Sequence, residues 1–195
     1  MPSKNKKDDV VQAAMEIIAK EGFHNAPTSL IAKQANVGMG TIYRYFKSKD
    51  ELIHEIFSER MALAREYALT GYDPTSSVKA RYMKLCRNFF DFMVNNPLDY
   101  GFFEQYINSP YGLKEQLKSV RGFKHGQGSE VYPMLELFSD GQESGVVKNM
   151  KLPLLIALTE SYIFTLVRHQ VYGKLELGDT DIEQFFVASW ESVSQ

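Results

Sequence analysis

Apolar residues recur at steps of three and four along most of this chain, the spacing that places side chains on one face of a helix. This spacing predicts helices at about residues 8–20, 29–35, 39–46, 49–69, 77–95, 97–107, 113–120, 129–143, 153–172 and 180–193. No segment alternates apolar and polar residues as a half-buried strand does. The predicted fold is therefore all-α, with a three-helix head and a larger helical body.

Local signals predict where the helices of the head begin and end. Gly22 is expected in the left-handed conformation that closes the first helix. Thr28 is expected to cap the second helix. Asn36 tolerates the left-handed backbone of a tight turn, and the run Ser48-Lys49-Asp50-Glu51 predicts a capping box for the fourth helix.

The helix at 39–46 is too short and too aromatic to be an ordinary core helix. Ile42 and Phe46, four residues apart, form its apolar face. The opposite side contains no acidic residue and consists of Gly40, Thr41, Tyr43, Arg44 and Tyr45. A helix of this kind, presented by another helix and a short turn, is typical of the DNA-reading part of a helix-turn-helix.

Individual residues of this segment suggest contacts with duplex DNA. Arg44 can bind guanine O6 and N7 or a phosphate, and the sequence does not choose between them. Thr41 can offer its methyl group to thymine or its hydroxyl to phosphate, and Gly40 lets the backbone lie close to the bases. Met39 is expected at the exposed start of the helix. Lys49 and Thr28, at the starts of helices four and two, are expected to contact phosphate.

The distribution of charge along the chain favours a nucleic-acid-binding head. Residues 1–50 hold 8 Lys and Arg against 5 Asp and Glu, net +3, whereas the whole chain of 195 residues has a net charge of −2. The single cysteine, Cys86, excludes an internal disulfide and a cysteine-based zinc site. The start of the chain predicts no signal peptide. No apolar run approaches the ~20 residues that span a bilayer, so we expect a cytoplasmic protein.

The segment from about Lys6 to Phe57 resembles the amino-terminal domain of the TetR (tetracycline-repressor) family of bacterial transcription regulators. The resemblance rests on the runs AAMEIIAKEGF at 13–23, IAKQANVG at 31–38 and GTIYRYFKSKDELI at 40–53. Two residues depart from the family pattern: Asn36, where Gly is frequent, and Gly38, where Ser or Thr is frequent. The resemblance implies that Tyr43 and Tyr45 contact phosphates and that the body binds an inducer.

The body is rich in aromatic residues that either line a cavity for a small ligand or fill the core. The residues expected at such a site are Phe89, Phe92, Tyr100, Phe103, Tyr106, Met134, Phe138 and Tyr162. The resemblance favours the cavity. Catalytic and cofactor motifs are absent from the sequence. Glu51 and His54 have the Glu-x-x-His spacing of di-iron bundles, but such a centre needs the motif twice, so no metal or cofactor is expected.

Together these features predict a helix-turn-helix DNA-binding domain at 1–50 and a ligand-binding and dimerisation domain at 51–195. The expected function is a homodimeric transcription regulator, a repressor released from a palindromic operator by a small apolar or aromatic ligand, and not an enzyme. The helices at 153–172 and 180–193 are the candidates for the dimer interface. Two alternatives stay open: an activator or architectural dimer without a ligand, and an enzyme using the aromatic body as a substrate pocket.

Overall fold

The computed structural model describes residues 6–112, 133–173 and 176–195. These ranges contain the following helices: α1 (Lys6–Glu21), α2 (Thr28–Gln34), α3 (Met39–Tyr45), α4 (Lys49–Ala68), α5 (Val78–Asn95), α6 (Pro97–Ile107), α7 (Pro133–Glu143), α8 (Leu152–Val171) and α9 (Asp179–Val193). Within the described ranges there is no strand beyond an isolated bridge between Val147 and Ser194. The all-α prediction is confirmed.

The helix boundaries predicted from periodicity lie within two residues of those observed wherever both ends are described. The helix predicted at 97–107 is confirmed at both ends, because Pro97 starts it and Asn108 ends it. The helix predicted at 113–120, and the beginning of the one predicted at 129–143, lie outside the described residues.

The chain divides into two compact units. The head unit consists of residues 1–62 and 96–115, and the body unit consists of residues 63–95 and 116–195. Helix α4 therefore begins in the head unit and ends in the body unit, while α6 belongs to the head unit. The boundary at residue 50 between a DNA-binding domain and a ligand-binding and dimerisation domain concerns function, not compactness, and it stays a prediction.

Helix α6 packs against α1 inside the head unit. Gly101 of α6 makes this approach possible, because a Cβ atom at this position would lie 3.0 Å from the Cβ of Ala19. Aromatic rings fill the space beside this contact. Tyr106 stacks on Phe57 of α4 with centroids 3.9 Å apart, and Phe103 meets the same ring edge-on at 5.8 Å. Among the described residues, the head core is thus built from five helices, α1, α2, α3, α4 and α6, of which α6 is the most distant in sequence.

An ion pair adds a polar contact between α4 and α6. Arg60 donates from Nε and Nη2 to the two carboxylate oxygens of Asp99, at 2.5 and 2.8 Å. Asp99 is buried, with 3% of its surface exposed. This forked geometry matches a guanidinium to a carboxylate, and it fixes the orientation of one helix on the other.

The core of the body unit joins α5, α8 and α9. The hydroxyl of the fully buried Tyr82 lies 2.5 Å from Ser189 Oγ and 3.3 Å from Thr159 Oγ1. The Tyr82 ring contacts Trp190 at 5.2 Å between centroids. These buried hydroxyls satisfy one another, which is the condition for placing polar groups in a core.

Candidate nucleic-acid interface

A left-handed turn joins α2 to α3. Asn36 has φ +52°, which confirms its predicted role, and the amide of Val37 donates to the carbonyl oxygen of Ala32 at 3.0 Å. Gly38 is the N-cap of α3 with an extended backbone, φ −72° and ψ 147°. It therefore occupies the cap position without needing the conformational freedom of glycine.

Helix α3 buries one side and exposes the other, as its sequence predicts. Ile42 and Phe46 are 2% and 1% exposed, whereas Met39 and Tyr43 are 46% and 51% exposed. Gly40 and Arg44 are also exposed, and Thr41 and Tyr45 are half-buried. The exposed parts of Met39 and Tyr43 are available for contact with another molecule.

Arg44 and Tyr45 form a local pair on this surface. Arg44 Nη2 donates to the Tyr45 hydroxyl at 3.1 Å, and the guanidinium carbon lies 5.0 Å from the centre of the Tyr45 ring. Stacking holds the planar guanidinium in an orientation that reduces the entropy lost on binding. The remaining N–H groups of Arg44 can still reach a base or a phosphate.

Thr28 lies at the start of α2, but its predicted capping role is wrong. Pro27 is the N-cap, with φ −65° and ψ 149°, and Thr28 is the first helical residue. Proline at the cap has no side-chain oxygen to accept the first amide hydrogens. Thr28 is half-buried, so its hydroxyl remains a candidate for contact with phosphate.

Lys49 has a structural partner that the sequence did not reveal. Its ammonium donates to the carbonyl oxygen of Phe23 at 2.7 Å, just after the end of α1. Partial burial lowers the pKa of Lys49, and the neighbouring Asp50 partly opposes this effect. An ammonium has three donors, so Lys49 ties α1 to α4 while hydrogens remain for phosphate.

Of the two hydrogen bonds that the capping box before α4 predicts, one is present and the other is formed by a different backbone amide. The amide of Glu51 donates to Ser48 Oγ at 3.1 Å. The carboxylate of Glu51 accepts a hydrogen bond from the amide of Lys47, one residue earlier than the capping box predicts. Both bonds fix the chain between α3 and α4, and Lys47 itself stays exposed.

Two contacts that support this surface come from residues that the sequence did not single out. Lys7 pairs with Glu55 and lies 5.7 Å from the centre of the Phe46 ring, so α1 supports the end of α3. Tyr111 donates to Asp50 Oδ1 at 2.7 Å. Burial, together with this bond to a carboxylate, raises the pKa of Tyr111 to about 12. No sequence signal pairs residues so far apart.

The predicted ligand-site residues fall into both compact units. Tyr100, Phe103 and Tyr106 belong to α6 and are fully buried in the head core. The other predicted residues belong to the body unit: Phe89, Phe92, Met134, Phe138 and Tyr162. Of these, Phe89, Met134 and Tyr162 are half-buried, while Phe92 and Phe138 are buried.

Within residues 6–112, 133–173 and 176–195, no three His, Cys, Asp or Glu side chains are grouped to hold a metal ion. No helix in these ranges has the length and apolar character to cross a membrane.

Comparison with known families agrees with this geometry along the chain. Residues 10–56 match the model of bacterial regulatory proteins of the tetR family. Residues 77–194 match the model of the tetracyclin repressor-like C-terminal domain. The chain belongs to the TetR family. It is thus a helix-turn-helix transcriptional regulator, in a family of DNA-binding regulators rather than of enzymes.

Individual TetR-family proteins show how far the similarity extends. An uncharacterized HTH-type transcriptional regulator of Haemophilus influenzae is 25% identical over 193 residues, covering 96% of this chain and 95% of that protein. The fatty acid metabolism regulator protein of Bacillus subtilis is 48% identical over 52 residues, 27% of either chain. A crystal structure of a TetR family transcription regulator from Marinobacter aquaeolei VT8 has a TM-score of 0.80 at 22% identity, covering 97% of this chain and 96% of its own.

Proposed function

We propose that this TetR-family protein is a homodimeric repressor that leaves a palindromic operator when a small ligand binds its body unit. The observation that carries the proposal is the outward side of α3. Met39, Tyr43 and Arg44 are exposed there, and the helix contains no acidic residue. Such a surface suits the negative potential and apolar base edges of the major groove.

Within this surface, the contacts divide into two kinds. We assign base contacts to Arg44, Thr41 and Met39, with Gly40 allowing close approach. We assign phosphate contacts to Tyr43 and Tyr45, and to Lys49 and Thr28 at the starts of α4 and α2. Phosphate contacts set the position of the helix and base contacts set the sequence preference.

Dimerisation is assigned to α8 and α9. From Pro153 to Thr165 the exposed residues of α8 are uncharged, namely Pro153, Leu154, Ala157, Ser161 and Thr165, and the charged Arg168 follows only in the last turn. Protein surfaces that face water usually mix charges of both signs, so this stripe is suited to contact with a second copy. Two-fold symmetry then presents two α3 helices to a palindrome.

The response to ligand is assigned to α4 and the body unit. Because residues 49–62 of α4 belong to the head unit and residues 63–68 to the body unit, a ligand that favours one body conformation can act on the head through one continuous helix. Coupling of this kind is typically about 1–3 kcal/mol. We place the ligand among the body-unit aromatics, not among Tyr100, Phe103 and Tyr106. Operators are bacterial DNA, so we expect a cytoplasmic protein.

Selection of duplexes from a random pool by the purified protein tests the DNA-binding part of the proposal. The expected result is enrichment of one palindromic sequence whose half-sites lie about one helical turn apart, or a multiple of it. Fluorescence anisotropy with the selected duplex then gives its affinity relative to a scrambled duplex. Recovery of unrelated sequences at low ionic strength would reject the assignment of α3 as a sequence reader.

A further inference from the structure

An unpaired acid lies in the body unit on the helix that packs against three others. Glu160 occupies the middle of α8, which contacts α5, α7 and α9. Its neighbour Thr159 is 2% exposed and faces the core, and Glu160 lies beside it on the flank of that face. Across the described part of the chain, the Glu160 carboxylate has neither a hydrogen-bond nor an ion-pair partner.

Among the described residues, the three helices that pack against α8 supply no cation for this acid. Helices α7 and α9 contain no Lys or Arg within Pro133–Glu143 and Asp179–Val193. On α5, Arg81 is paired with Asp140 and Arg87 is paired with Asp91 and Asp179. The two lysines of α5 are exposed, at positions 79 and 84.

Glu160 is partly enclosed by the protein. The side chain is half-buried, not fully buried. Burial nevertheless raises the pKa of this carboxyl group to about 7. An acid on an open surface keeps its ordinary pKa, because water solvates the charge. Glu160 is therefore desolvated by the surrounding protein while part of its side chain stays exposed.

Aromatic rings flank the same side of α8. Phe164 lies one turn after Glu160 and is therefore its neighbour on the helix surface. The Phe164 ring contacts Phe89 of α5 with 6.4 Å between centroids. Both rings are half-buried, like the acid beside them. The group therefore combines one unpaired carboxylate with two half-buried aromatic rings.

We propose that the ligand of the body unit is an organic cation with an apolar body, held by the Glu160 carboxylate and the rings of Phe89 and Phe164. A positive charge compensates the acid, and aromatic faces attract quaternary and tertiary ammonium groups. The inference rests on the proposed function for the existence of a ligand, and it assigns that ligand a charge. Neutral or anionic molecules of the same size leave the acid uncompensated.

Three probes of equal chain length test which ligand charge the protein prefers. They are decyltrimethylammonium, decanol and decanoate, each below its micellar concentration. The measurements are the thermal unfolding midpoint and calorimetric titration of the full-length protein. The expected result is a clear rise in the midpoint with decyltrimethylammonium and little or none with decanol or decanoate. An equal rise with decanol or decanoate, or no rise with any probe, overturns the inference.

Two variants test whether Glu160 is the residue that binds the cation. Glu160→Gln removes the charge and keeps the shape, and it is expected to weaken decyltrimethylammonium binding roughly tenfold or more. Glu143→Gln is the matched control, because this exposed acid ends α7, and it is expected to leave the affinity unchanged. Unchanged affinity in Glu160→Gln overturns the inference. The probe comparison on the unmodified protein does not depend on the folding of a variant.

The same samples separate this inference from the proposed function. Operator binding of the unmodified protein, measured by anisotropy without any probe, reports on the DNA-binding function alone. If the operator is bound and the cation is not preferred, the charge assignment is wrong and the regulator assignment stands. If the cation binds through Glu160 but no operator sequence is enriched, the assignment of α3 as a sequence reader fails instead.

Discussion

Arg44 shows how one residue can combine two requirements on the surface of α3. It is exposed, which DNA contact needs, yet its guanidinium is stacked on Tyr45 and bonded to the Tyr45 hydroxyl at 3.1 Å. The pairing reduces the freedom that the side chain loses on binding. A residue with this geometry is suited to bidentate recognition, in which the planar fork matters as much as the charge.

We expect Arg44→Ala to weaken operator binding by about 1–3 kcal/mol, the value of one good bidentate base contact. Arg44→Lys keeps the charge but not the fork, so it should lose discrimination between operator and scrambled DNA. Anisotropy titrations on both duplexes measure this. Lys20→Ala removes the same charge from exposed α1 and should change little. Equal losses on both duplexes for Arg44→Lys would identify Arg44 as a phosphate contact.

Glu160 allows a test of desolvation that needs no ligand. Burial raises the pKa of its carboxyl group from 4.5 to about 7. Between these values the folded state holds a proton that the unfolded state has released, so this group's contribution to stability falls as the pH rises through about 7.

We therefore expect Glu160→Gln to be more stable than the parent protein at about pH 8, by an amount on the order of 1–3 kcal/mol. The difference should be small at about pH 4, where the acid is neutral in both states. Urea unfolding at the two pH values and one protein concentration measures it. A variant that is no more stable at the higher pH would show that the carboxylate is solvated.

At the scale of elements, α6 is the helix whose position departs most from the division drawn along the sequence. It follows α5 directly but belongs to the head unit, where Gly101 approaches Ala19 and Tyr106 stacks on Phe57. The ion pair between Arg60 and Asp99 gives this packing a fixed orientation. The unit that contains α3 thus has a core that the local sequence of the head does not complete.

Asp99→Ala is expected to destabilise the head unit by about 2–3 kcal/mol. The value lies below the roughly 3–5 kcal/mol for a fully buried pair, because the Arg60 side chain left behind is 27% exposed. Amide hydrogen exchange in α6 and urea unfolding measure it. Asp91→Ala breaks the more exposed pair with Arg87 and is expected to cost less than about 1 kcal/mol. Equal losses in the two variants would contradict the role given to Asp99.

The uncharged side of α8 leads to a prediction about assembly. Ala157→Glu places a charge within the stripe and should convert the proposed dimer to monomer, because a buried unpaired charge is strongly unfavourable. Sedimentation velocity measures the change in mass. Ala80→Glu makes the same substitution on the exposed side of α5 and should leave the assembly unchanged. A dimer that survives Ala157→Glu would place the interface elsewhere.

For the whole molecule, we propose that α4, which begins in the head unit and ends in the body unit, couples ligand binding to DNA binding. Coupling between two binding sites is reciprocal, since both ligands act on the same conformational equilibrium. Bound operator must therefore lower the protein's affinity for the cation by the same factor by which bound cation lowers its affinity for the operator. This requirement holds whatever the details of the motion.

We expect saturating decyltrimethylammonium to reduce operator affinity roughly 5- to 150-fold, the range of typical coupling energies. Calorimetric titration of the protein–operator complex should show the same factor as a loss of cation affinity. The scrambled duplex is the control, because it is bound too weakly to shift the equilibrium. Operator affinity that does not change at saturation would remove the proposed induction mechanism.

The sequence by itself determined the features that depend on a few neighbouring residues. Helix ends, the left-handed backbone of Gly22 and Asn36, and the buried and exposed sides of α3 follow from local hydrogen bonding and side-chain spacing. Tertiary structure decided what depends on residues far apart in the chain. It placed Tyr106 in the head core, joined Lys49 to Phe23, and left Glu160 without a partner within the described residues. The reason is physical: periodicity shows that a side chain is buried, whereas the elements that surround it are fixed only when distant helices pack together.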